Sequence, residues 1–356
     1  MSRFMSERFA NLEAYVPGEQ PQDMRYVKLN TNESPFPPSP EVLAALNKSE
    51  AERLNLYPDP EGKILREKLA ALYGVKPENI FLANGSDELL NFIFMTFCDQ
   101  NRPVAYPAVS YGFYPVYASL YGLPYTEIPL REGFRLEPAD YCGIHKTIVI
   151  ANPNAPTGRT VSVAEIEKIL QSNPDNVVAV DEAYIDFGGE SCVGLVPNYE
   201  NLLVCQTFSK FRSMAGGRIG YGIGSKALIE DLNKIKYSTN SYNINRLTLA
   251  AAAAAIDSND YYVQNSKIIQ ENRAYTVAEL EKLGFETLPS KANFIFTHCP
   301  KVSGGKLYQG LKTKGVLVRH WDKPAISDYC RVTIGSREQM DVFLEKVREI
   351  LKEEGE

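Results

Sequence analysis

The chain has 356 residues, 44% of them hydrophobic and 23% charged, with 38 Lys and Arg against 44 Asp and Glu for a formal charge of −6. That length supports a large core and passes the roughly 250–300 residues at which one core stops growing, so a second domain is expected. The acidic balance excludes broad electrostatic binding to nucleic acid or an anionic membrane, and any basic site must be local.

The amino terminus lacks the apolar core of a signal sequence, and no stretch approaches the roughly 20 apolar residues of a membrane span. Prolines at Pro35, Pro37, Pro38 and Pro40 predict an extended arm over residues 1–45, with a helix at 40–47. From about 50 to 255, short apolar runs alternate with helical patterns, which predicts an α/β domain with a mostly parallel sheet.

Of these runs, Ile80 to Ala83 passes through Asn84, Gly85 and Ser86 into an apolar helix at 89–97. Free amides at a helix start bind anions, so Gly85 to Asp87 form a candidate phosphate seat; ordinary capping by Ser86 or Asp87 is the alternative. Ile148 to Ala151 breaks into Asn152-Pro153-Asn154-Ala155-Pro156-Thr157-Gly158, where prolines fix the backbone and hold Asn154 at a site mouth, unless the string is only a turn. A helix is expected at 163–171. The run Val177 to Val180 ends in Asp181, with Tyr184 following. Ligands collect beyond the carboxyl ends of strands in an open α/β sheet, so this carboxylate faces a site rather than the core. The run at 202–205 leads into Thr207, Ser209 and Lys210, then a glycine-rich stretch holding Arg218.

Further on, alanines at 250–255 read as a tightly packed helix, IDSNDYY at 256–262 interrupts the pattern, and a long helix follows through Leu283 until Gly284 stops it. Strands near 293–297, 315–319 and 330–334 and a closing helix at 337–352 predict a small α+β domain. The division expected is an arm (1–45), a large domain (46–262) and a small domain (263–356). The six cysteines form no CxxC pair and suit a reduced, cytoplasmic setting. Dispersed histidines, and carboxylates without metal-ligand spacing at Asp181, Glu182 and Asp186, give no metal site.

Lysine, aspartate, tyrosine, hydroxyls and arginine together suit one class of ligand, a phosphorylated carbonyl cofactor. Lys210 condenses with its aldehyde, while Thr207, Ser209 and Arg218 hold its phosphate. Asp181 keeps a pyridine nitrogen protonated, and Tyr184 donates to a ring oxygen. Pyridoxal 5′-phosphate fits this description. Taken singly, each residue has a blander reading as a solvated lysine, a cap or a packed aromatic.

The order NGSDE, NPNAPTG, DEAYIDF, TFSK and GGRIG resembles the class-II, fold-type-I pyridoxal-phosphate aminotransferases. LNTNESP (29–35), LYPDP (56–60), SYGFY (110–114) and RVTIG (331–335) narrow the resemblance to the histidinol-phosphate aminotransferase family, over nearly the whole chain. It implies a large domain whose mostly parallel sheet is sandwiched by helices, plus the small α+β domain. Lys210 becomes the cofactor lysine and proton shuttle, Asp181 and Tyr184 the ring contacts, and Tyr111 the stacking ring. Gly85, Ser86, Thr207, Ser209 and Arg218 hold the phosphate, with Tyr57 reaching it from the neighbouring subunit of a homodimer with shared active sites. Arg319 and Arg331 take the anionic ends of the substrates, and Tyr15 and Asn32 close the pocket. One departure stands out: the family's ring-contacting asparagine aligns with Ala155, so Asn154 is expected to substitute for it. The implied reaction is transamination of histidinol phosphate with 2-oxoglutarate, giving imidazole-acetol phosphate and glutamate in histidine biosynthesis. The alternatives are a threonine-phosphate decarboxylase and an aromatic amino acid aminotransferase.

Overall fold

The computed structural model describes residues 5–6, 9, 11–46 and 48–355. Apolar runs without polar alternation form strands buried on both faces, as Ile80–Ala83, Val104–Pro107, Thr147–Ala151, Val178–Asp181 and Leu202–Thr207 do. With Tyr125–Ile128 and Gly220–Gly224 they build one seven-stranded sheet. Its spatial order is Ile80–Ala83, Gly220–Gly224, Leu202–Thr207, Val178–Asp181, Thr147–Ala151, Val104–Pro107, Tyr125–Ile128. Gly220–Gly224 alone runs against its neighbours, so the expected mostly parallel sheet is borne out. Alternate side chains enter opposite layers: Ile148, Val178 and Val180 pack with Ile166 and Ile169, whereas Val149, Ala179 and Leu203 pack with Leu89, Ile93 and Leu232.

The strand Gly220–Gly224 is not predicted by pattern, because glycine disfavours strands. Close approach explains it. A Cβ at Gly220 would stand 2.5 Å from the backbone nitrogen of Ser86 and 2.7 Å from the carbonyl carbon of Gly85.

A second, antiparallel sheet of four strands has the order Arg319–His320, Cys330–Thr333, Phe294–His298, Glu286–Thr287. The single strand expected at 315–319 divides in two. Val316–Leu317 pairs in parallel with Val27–Lys28 of the arm, and Arg319–His320 joins the four-stranded sheet. The break expected at 256–262 narrows to Ser258, which joins helices Arg246–Asp257 and Asn259–Lys282; its N–H and hydroxyl both bond the Ala254 carbonyl. The helix expected at 40–47 spans Pro40–Ala45, capped by Ser39; Asn47 lies outside the described residues, as do residues 1–4, 7–8 and 10 of the expected arm. The closing helix runs Arg337–Gly355. Among the described residues no helix is long and apolar enough to cross a membrane.

Candidate active site

Several segments converge at the carboxyl edge of the parallel strands. Asp181 ends one strand, Thr207 ends the next with Ser209 and Lys210 just beyond, and Ile80–Ala83 turns through Asn84 into helix Gly85–Phe97. Tyr15 and Asn32 from the arm, Arg319 and Arg331 from the second sheet and Trp321 just beyond its edge strand complete a cavity of about 430 Å³.

Lys210 is half-buried, with Nζ donating to the Thr31 carbonyl at 3.0 Å and lying 5.8 Å from the centre of the Tyr184 ring. Burial, reinforced by Arg331, lowers its amine to about 8. A neutral, nucleophilic amine is therefore accessible near neutral pH.

Asp181 is buried, and Oδ2 accepts from Tyr114 Oη at 2.9 Å while Oδ1 accepts from the Ala183 N–H at 3.3 Å. Burial nonetheless raises its carboxyl to about 6, and no described cationic side chain offsets that cost. Tyr184 Oη accepts from Asn32 Nδ2 at 3.0 Å, which leaves its own hydrogen free to donate. Asn32 adopts a left-handed φ of 56°. Its N–H donates to Thr333 Oγ1 at 2.9 Å, that hydroxyl donates back to Asn32 Oδ1 at 2.9 Å, and Asn293 donates to its carbonyl at 3.1 Å.

Helix Gly85–Phe97 starts after Asn84 without a side-chain cap. Ser86 and Asp87 thus sit inside the first turn rather than capping it, with amides open to an anion. Asp87 accepts from Tyr111 Oη at 2.7 Å and from Arg218 Nη2 at 3.0 Å. Gly85 has φ +81°, and a Cβ there would stand 2.7 Å from Arg218 Nη2, so only glycine leaves the guanidinium in place. Thr207 and Ser209 are buried beside this end, Thr207 Oγ1 accepting from the Ser209 N–H at 3.1 Å.

At the opposite end, Arg319 and Arg331 are register partners. Arg319 donates to the carbonyls of Val16 at 2.9 Å and Pro17 at 3.1 Å, and Arg331 donates to that of Asn30 at 2.9 Å. Arg331 Nε is buried without a partner. Tyr15 stacks on Phe113 at 4.2 Å and tilts toward Tyr111 at 6.2 Å, so the arm roofs the cavity. The whole arrangement suits a flat, phosphorylated aldehyde with a protonatable ring nitrogen, beside a second anionic group.

Residues 25–347 match the family described as aminotransferase class I and II. The chain belongs to the class I and II aminotransferases. It is 47% identical over 353 residues to the histidinol-phosphate aminotransferase of Brachyspira hyodysenteriae, covering 99% of this chain and 100% of that one. Histidinol-phosphate aminotransferase 1 of Bradyrhizobium diazoefficiens is 48% identical over 351 residues, with 99% and 100% covered. The crystal structure of histidinol-phosphate aminotransferase from Sinorhizobium meliloti, in complex with pyridoxal 5′-phosphate, aligns over 99% of this chain and 100% of its own at 23% identity, with a TM-score of 0.88. The fold is thus the fold-type-I architecture expected from the motifs.

One expected residue of this aminotransferase lies elsewhere. Asn154 does not face the cavity: its Oδ1 accepts from Ser110 Oγ at 2.8 Å, and its Nδ2 donates to the Val109 carbonyl at 3.0 Å and to Thr157 Oγ1 at 2.9 Å. The carboxamide is consumed in locking the loop, and Ala155, packed with Ala292, Phe294 and Tyr184, lines the cavity instead. The expected substitution by Asn154 is therefore corrected. Tyr57, expected to reach the phosphate of a neighbouring subunit, lies outside its own chain's cavity, 77% exposed and stacked on Tyr242 at 4.4 Å. Other contributors carry no sequence signal of their own role: Tyr114, which holds Asp181, is one more tyrosine of SYGFY, and Thr31 reaches Lys210 through its backbone. Trp321 could have been found, since alternation places it on the same face as Arg319.

Proposed function

We propose that this aminotransferase transfers the amino group of histidinol phosphate to 2-oxoglutarate, giving imidazole-acetol phosphate and glutamate in histidine biosynthesis, with pyridoxal 5′-phosphate as cofactor. The observation that carries this reading is the union in one cavity of Lys210, at a pKa near 8, with the arginine pair Arg319 and Arg331. Full-length relatives named histidinol-phosphate aminotransferase support the choice of donor.

The residues present fit the cofactor. Asp181 is a buried carboxylate lacking a described cation, which suits a protonated ring nitrogen. Gly85 lets the Arg218 guanidinium pack against the helix start, where a Cβ would stand 2.7 Å from its Nη2. Gly85, Ser86, Thr207, Ser209 and Arg218 would hold the phosphate, Tyr111 would lie against the ring, and Tyr184, with Asn32 on its oxygen, would donate to the ring oxygen in place of an asparagine at 155. Bound there, the cofactor supplies an electron sink that acidifies the substrate α-proton. Lys210 Nζ would anchor it covalently and would carry the proton to and from the substrate α-carbon. Asp181 would keep its negative charge opposite the ring nitrogen, where burial would strengthen the attraction. Arg319 and Arg331 orient the donor phosphate or the distal carboxylate of the acceptor through forked donors, while Tyr15 and Asn32 keep water from the reacting atoms.

The same reading makes the enzyme a cytoplasmic homodimer with shared active sites. Near Tyr57 in sequence, Leu54, Leu56 and Ile64 are also exposed, apolar side chains of the kind a protein interface covers, and all six cysteines are free. It also divides the chain into an arm (1–45), a large domain (46–262) around the seven-stranded sheet and a small domain (263–356) around the four-stranded one. Incubation with histidinol phosphate and 2-oxoglutarate tests the reaction: glutamate forms in step with donor loss. Carbon dioxide release would instead mark a decarboxylase, and turnover of phenylalanine without histidinol phosphate an aromatic aminotransferase.

A further inference from the structure

We propose that Trp321 is a positioning residue that assembles the anion clamp, holding Arg319 and Arg331 together so that their combined charge is kept for the ligand. This rests on the substrate reading above only for which anion the clamp receives.

Arg319 and Arg331 stand directly opposite each other on antiparallel strands, where like charges repel. Proteins usually relieve such a pair with a carboxylate. Here none of the described carboxylates forms an ion pair with either guanidinium; the bonded partners are the carbonyls of Val16, Pro17 and Asn30. Both guanidinium carbons lie 5.4 Å from the centre of the Trp321 ring, within the range of cation–π attraction, for which tryptophan is the strongest side chain. Phe294 adds a second aromatic surface 5.3 Å from Arg331, and Phe296 meets the Trp321 ring edge-on at 6.5 Å. An aromatic ring attracts two cations without neutralising either. A carboxylate at the same place would compete with the ligand, and an aliphatic side chain would remove the one ring that both guanidinium groups share. Arg331 Nε is buried without a hydrogen-bond partner, so the described residues leave this donor unspent.

Because Trp321 is the chain's one tryptophan, its fluorescence reads the clamp directly. In the holoenzyme, titration with inorganic phosphate is expected to give a saturable change in emission that Arg331→Met abolishes. Trp321→Leu is expected to lower the ratio of kcat/KM for histidinol phosphate over histidinol by about tenfold or more, through KM, whereas Trp321→Phe keeps it within about threefold of the parent. The cofactor absorption band is expected to stay the same in both variants, which separates the clamp from the cofactor end. A ratio for Trp321→Leu within about twofold of the parent, or Trp321→Phe no better than Trp321→Leu, overturns the proposal. Should neither amine be turned over, the substrate reading fails by itself, and the clamp is judged by calorimetry with inorganic phosphate: affinity about tenfold weaker in Trp321→Leu supports it, and equal affinity overturns it.

Discussion

Arg319 and Arg331 face one another across two antiparallel strands, so two guanidinium groups share one wall of the cavity with no described carboxylate between them. If one clamp serves both half-reactions, Arg331→Lys, which removes the planar fork but keeps the charge, raises KM for histidinol phosphate and for 2-oxoglutarate together. The loss of a charge-assisted forked contact corresponds to about 1.5–3 kcal/mol, or roughly 10–100-fold. Steady-state kinetics with each co-substrate varied checks this, and an effect confined to one of them contradicts a shared clamp.

The role proposed for Lys210 is chemical rather than structural: the side chain is half-buried, and its described hydrogen bond goes to the Thr31 carbonyl. Lys210→Ala is expected to lower turnover by at least about a thousandfold while far-UV circular dichroism stays native. Residual transamination within about tenfold of the parent would remove it from the mechanism.

The depressed amine also makes a pH prediction. Only neutral lysine attacks an aldehyde, and its fraction rises as pH passes through about 8, where an ordinary lysine would wait until about 10.5. The rate at which apoenzyme captures pyridoxal 5′-phosphate should therefore climb between about pH 7 and 9 and then level off. A rate still rising steeply beyond pH 10 would mean that Lys210 is not desolvated as described.

Asn154 offers a test of the corrected reading. Its carboxamide bonds Val109, Ser110 and Thr157 and avoids the cavity. Asn154→Ala is thus expected to cost stability, about 1–3 kcal/mol, because buried Thr157 and half-buried Val109 and Ser110 lose their bonds, and to leave cofactor affinity within about twofold. Thermal denaturation and a cofactor titration measure the two separately, and a large loss of affinity at unchanged stability would restore Asn154 to the site.

These cases show why some of the site is legible in the sequence. Asp181, Thr207 and Lys210 are readable because strand ends in a parallel sheet all open on one edge, so locating an apolar run locates the site. Asn154 misleads because the direction of a carboxamide is decided by partners far away in sequence, here Val109 and Ser110, not by its loop. The strand Gly220–Gly224 is silent because Gly220 serves the contact with Gly85 and Ser86, and Gly222 and Gly224 serve close packing against Leu89, Leu203 and Leu228, rather than any strand preference. Nor does local pattern foretell that Val316–Leu317 turns away to pair with the arm while Arg319 joins Arg331; register is a tertiary choice.

The most direct test of the central claim is the visible absorption spectrum of the purified enzyme before and after adding histidinol phosphate without any keto acid. The band of lysine-bound cofactor is expected to disappear as donor is added and to return with 2-oxoglutarate. A band unmoved by histidinol phosphate contradicts the donor, and no band after incubation with pyridoxal 5′-phosphate contradicts the role given to Lys210.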